Sequence, residues 1–79
     1  MRSLVVFYND TEGWAHTLLC EVTPGGAHTV VDSTTHYPNG SLLNFATSYH
    51  TNVGVSEDRV NVFRTEKVGL IGNDHTWKN

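Results

Sequence analysis

Seventy-nine residues can enclose one hydrophobic core, not two, and five basic against eight acidic residues give a formal net charge of −3 with histidines neutral. That balance excludes a non-specific nucleic-acid binder, which needs a basic face. Cys20 is the only cysteine, which excludes an intrachain disulfide and a secreted disulfide scaffold and leaves a metal or association as the usual staple for so small a domain.

The apolar run at the start, Leu4-Val5-Val6-Phe7, is broken by Tyr8, Asn9 and Asp10 and is too short for a signal-peptide core. No stretch approaches the ~18 apolar residues of a membrane span. The expectation is a soluble, cytoplasmic chain that starts at its native methionine. Ser3 to Tyr8 has the composition of a well-buried strand. Asn9 to Gly13 reads as a short turn closing with Gly13 at positive φ, and Trp14 to Val22 as the second strand.

Thr23-Pro24-Gly25-Gly26 is the firmest turn, because proline presets one corner and the glycines accept positive φ. Ala27 to Thr35 returns as a third strand. A Pro24-Gly25 loop sets Leu18 opposite Val31, Leu19 opposite Val30 and Glu21 opposite His28; adding Gly26 to the loop sets Leu18 opposite Asp32. The first register is preferred on its apolar pairing. After the break at Tyr37-Pro38-Asn39-Gly40, Ser41 is an N-cap for a helix with Leu42, Phe45, Ala46 and Tyr49 on one face, stopped by Gly54. The rival is a strand from alternating Leu43, Phe45, Thr47 and Tyr49. Arg59 to Arg64 alternates as a half-exposed strand, Val68 to Ile71 reads as a further strand or its continuation, and His75 to Asn79 as a polar tail whose Trp77 is expected to dock on the domain.

These elements predict one α+β domain over residues 1–79: a small antiparallel sheet, built from a three-stranded N-terminal meander and one or two C-terminal strands, under a single helix. An all-β fold is the alternative. One face of the meander collects Val5, Phe7, Leu18, Cys20, Val22 and Val31. The other collects Leu4, Val6, Tyr8, Leu19 and Val30, diluted by Thr17, Glu21, His28 and Asp32. One helix covers one face of so narrow a sheet, so the second face is expected either to meet a partner or a second copy of the chain, or to be roofed by Trp14, Trp77 or the C-terminal strands.

Catalytic chemistry finds little support. Cys20 sits mid-strand as a small core residue, and His16, four residues along the strand, is roughly 13 Å away. His16, His28, His36, His50 and His75 lack the short ligand pairs of zinc sites, and Glu21 beside His28 reads as a cross-strand pair. Asp10, Glu12, Glu57 and Asp58 fit turns, and the glycines fit no phosphate-binding fingerprint. Tyr8, Trp14 and Tyr37 lack the basic neighbours that nucleobase stacking requires. The expectation is a non-enzymatic protein–protein interaction module without cofactor or metal. Its size and charge suit an inhibitor or modulator of a larger machine, of the kind phages and mobile elements carry, and a homodimer is a further possibility. Contact is assigned to Tyr8, Trp14, Leu19 and Val30, with Glu21, Asp32, Glu57 and Asp58 as rim charges. The alternative is a homo-oligomeric ligand- or metal-binding protein using its histidines. A third is an enzyme whose site, involving Cys20 or His16, forms only between subunits.

Overall fold

The computed structural model describes residues 1–67 throughout and, beyond them, the backbone of Leu70–Ile71 and Thr76–Trp77. Strands Arg2–Asn9 (β1), Trp14–Val22 (β2) and His28–His36 (β3) form the predicted meander. Helix Leu42–Ser48 (α1) follows, runs into a 3-10 turn at Tyr49–Val53, and a second such turn at Glu57–Arg59 leads into Val60–Arg64 (β4). The fold is α+β, with a four-stranded sheet in the order β3-β2-β1-β4. Leu70–Ile71 (β5) and Thr76–Trp77 (β6) pair with each other as a separate two-stranded ladder. Docking of the Trp77 side chain, and the extension of the predicted strand to Val68, lie outside the described residues.

The sheet is mixed where an antiparallel one was expected. β1 is antiparallel to β2, whereas β4 lies parallel to β1 on its other flank, Leu4 beside Val60 and Val6 beside Val62. A parallel neighbour requires a crossover connection, and the segment holding α1 and the two 3-10 turns provides it. Ser41 caps α1 by accepting a hydrogen bond from the Asn44 N–H, and Gly54 at φ 71° ends the following turn as expected.

The helix settles against Leu4, Val6 and Tyr8 of β1 and Ala15 and Leu19 of β2, burying Leu42, Ala46 and Val55, with Phe45, Tyr49, Val53, Val60 and Val62 around them. Leu4 and Val6 are fully enclosed, and burial on that scale is worth about 1.5–3 kcal/mol per side chain.

The preferred register of the β2–β3 hairpin is overturned, whereas the rival, with Gly26 in the loop, holds from Val22 to Cys20 and fails only beyond a bulge, where Leu18 misses Asp32. Gly26, at φ 91°, belongs to the loop: its N–H donates to the Thr23 carbonyl, and Ala27 N–H donates to Thr23 Oγ1. This is the three-residue loop in which the last residue takes the left-handed conformation. Glu21 therefore faces Thr29 and Cys20 faces Val30. A bulge between Leu19 and Cys20 then shifts the ladder again, so that Leu19 faces Asp32 and Leu18 faces Ser33.

Candidate interaction edge

β3 is nine residues long and terminates the four-stranded sheet. Thr29, Val30, Val31, Thr34 and Thr35 are β-branched, which suits a pleated strand. Alternate backbone N–H and C=O groups of an edge strand point away from the sheet and offer a template for another strand. Edges are ordinarily blunted by lysine, proline, bulges or inward charges. β3 has no lysine or proline, its only formal charge is Asp32, and the one blunting device it carries is a bulge at Val31. The bulge leaves Val31 without a β2 partner and 48% exposed, and Tyr37 just beyond the strand is 76% exposed.

The residues assigned to contact fall in several places. Tyr8 and Leu19 lie under α1 in the core, and Trp14 is also interior; none of the three presents a surface in the single chain. Val30 is half-buried opposite Cys20 on β3, and Asp32 is exposed on the same strand. Glu21 is ion-paired with Arg2. Glu57 and Asp58 are exposed in the 3-10 turn before β4, at the opposite edge of the sheet. The predicted set thus does not form one patch; only Val30 and Asp32 belong to the edge. Met1, Val31, Tyr37, Leu43 and Phe63 are the exposed large apolar residues that the sequence reading left out of the contact set, and nothing in the sequence marks the bulge at Val31.

The face opposite the helix is not an open apolar surface. Trp14, His16, Leu18 and Cys20 are all buried there within one chain. Val5 and Phe7 are half-buried, and Phe63 stacks on Phe7 at 5.4 Å while remaining 49% exposed. His16 lies between two hydroxyls of β3, Nδ1 2.7 Å from Thr35 Oγ1 and Nε2 2.6 Å from Ser33 Oγ. These two contacts tie β2 to the edge strand. Burial pushes the Cys20 thiol above its ordinary pKa, with Ser3 across the ladder acting in the opposite, weaker sense. That makes Cys20 a poorer nucleophile than a free cysteine. Among the described residues, no group of three or more His, Cys, Asp or Glu side chains is arranged to hold a metal. Among the described residues no helix is long and apolar enough to cross a membrane.

Comparison with family models, curated proteins and solved structures gives no match. The chemistry of the residues therefore carries the functional reading.

At the end of β3, His36 packs its ring against Phe45 and Tyr49, with centroids 4.9 and 4.8 Å away, and its Nε2 is 3.0 Å from Thr17 Oγ1. Burial lowers its pKa from the ordinary 6.5, and the nearby Asp32 charge offsets part of the shift. A histidine held neutral in the fold binds its proton more readily when unfolded. Its contribution to stability is present above the unfolded pKa and is lost as pH falls toward the folded one. Thermal melts should therefore show the midpoint dropping as pH falls below about 6.5, and His36→Phe should flatten that slope. Equal slopes in the two proteins would remove His36 from the account.

Proposed function

We propose that this protein is a non-enzymatic interaction module that binds an extended segment of another protein along β3. The supporting observation is the strand itself: a nine-residue sheet edge with a single formal charge and no proline. Strand addition draws affinity from main-chain hydrogen bonds and specificity from alternate side chains. Asp32 makes no ion pair among the described residues, whereas Glu21 is held by Arg2, and Asp10 and Glu66 are held by Arg64. An incoming strand with a basic residue opposite Asp32 and β-branched residues beside Val31 fits this edge best. A role as inhibitor or modulator of a larger assembly in the cytoplasm is consistent with a module of this size, and a second copy of the chain is the other occupant to be distinguished.

Val31→Lys places an edge-blocking charge on an exposed, bulged position without entering the core. Protein captured from the host by the wild type should protect β3 amides from hydrogen exchange. Val31→Lys should bind that partner at least about tenfold more weakly, or ~1.4 kcal/mol, with an unchanged circular-dichroism spectrum. Protection on another surface, or equal binding by the variant, would refute strand addition. Sedimentation of the purified protein separates a foreign partner from self-pairing: a dimer lost in Val31→Lys would assign the edge to a second copy.

A further inference from the structure

Asn39 is the one asparagine followed by glycine. We propose that it is a site of spontaneous chemical modification, at which the chain converts to aspartyl and isoaspartyl forms. The reaction is intramolecular. The Gly40 backbone nitrogen attacks Asn39 Cγ, an N–Cγ bond forms as the Cγ–Nδ2 bond breaks, and ammonia leaves, taking up the proton lost by the Gly40 nitrogen. Water then opens the resulting five-membered succinimide at either carbonyl. No oxidant or reductant is needed.

Three features favour ring closure at this position. Asn39 is exposed in the connection between β3 and α1, and among the described residues its side-chain amide makes no hydrogen bond that would hold it away. The Gly40 N–H likewise makes no backbone hydrogen bond, so the attacking nitrogen is not committed elsewhere. Gly40 carries no side chain to crowd the attacking nitrogen, and it sits at φ 89° with nothing within 4 Å of where a Cβ would stand. Attack within one residue also carries the large entropic advantage of an intramolecular reaction.

The other asparagines lack this combination. Asn9 is 1% exposed, and both of its amide atoms are hydrogen-bonded. Asn44 and Asn61 are held in α1 and β4. Asn52 Oδ1 accepts a hydrogen bond from the Thr51 hydroxyl and is followed by a β-branched valine. Asn73 precedes an aspartate rather than a glycine. Conversion at position 39 adds one negative charge to the formal net charge of −3, two residues before the Ser41 cap. The isoaspartyl form also inserts a methylene into the backbone that links the edge strand to its helix.

The intact protein, incubated at mildly alkaline pH and digested, would be read by peptide mass spectrometry against the free pentapeptide Tyr-Pro-Asn-Gly-Ser under the same conditions. The peptide containing Asn39 should gain one mass unit before any other asparagine-containing peptide, with the rate rising with pH. Gly40→Ala should slow the gain at least about tenfold. Because that substitution strains a positive-φ position, Asn39→Ser serves as a second variant. It keeps Gly40 and should eliminate the early conversion while leaving all other peptides unchanged. Conversion first at another asparagine would overturn the assignment. So would an unmodified Asn39 after the free pentapeptide has largely converted.

Discussion

Leu19→Asp should abolish cooperative unfolding rather than merely weaken an association. Leu19 is packed under α1 against Leu4 and the rest of the helix-side cluster. A carboxylate at that position either stays charged in an apolar environment or takes up a proton, and both are costly. Added to the lost packing of a buried leucine, typically about 2–5 kcal/mol, this exceeds the roughly 3–5 kcal/mol that a core of this size supplies. Circular dichroism and a urea titration would read the outcome directly. A Leu19→Asp protein that keeps a cooperative transition and loses only self-association would instead place Leu19 at an interface.

Asn9→Asp should cost about 1–3 kcal/mol at neutral pH although it changes only one atom. Asn9 Oδ1 accepts the Glu12 N–H at 2.9 Å, and Nδ2 donates to the Lys67 carbonyl at 2.8 Å, so one buried amide ties the first turn to the chain beyond β4. An ionised carboxylate has no proton to donate and sets an oxygen against the Lys67 carbonyl. Protonation relieves the clash. The variant's carboxyl should therefore have a folded pKa raised above its unfolded value, and the added stability is present at low pH and lost as pH rises. Urea titrations at acid and neutral pH should show the gap to wild type narrowing on acidification. A variant within about 0.5 kcal/mol of wild type at neutral pH would mean that the Asn9–Lys67 bond contributes little.

The local elements were legible because their signals are local. Trp14–Val22 was placed to the residue, β1 and β3 to within a residue at each end, and Ser41 and Gly54 mark the limits of the helical segment through capping and positive φ. The helix prevailed over the competing strand because Leu42 and Ala46 bury one stripe on the sheet. What the sequence hid were relations between distant segments. Nothing in Val60–Arg64 states that it lies parallel to β1, since alternation reads the same in either direction. The bulge beside Leu19 is equally silent; the apolar pairing on which the preferred register rested is displaced first by Gly26 joining the loop and then once more by this bulge. The contact set failed to gather for the same reason. Which face a strand residue shows depends on register, and whether that face is covered depends on the rest of the chain.

The parallel placement of β4 bears on how the molecule is assembled during synthesis. Leu4 meets Leu19 on one flank and Val60 on the other, so β1, made first, is completed last. Until the chain has left the ribosome past Arg64, the β4-facing flank of β1 has no match. The nascent hairpins must stay soluble for that whole interval. The longer that interval lasts, the longer an unpaired strand edge is open to mispairing.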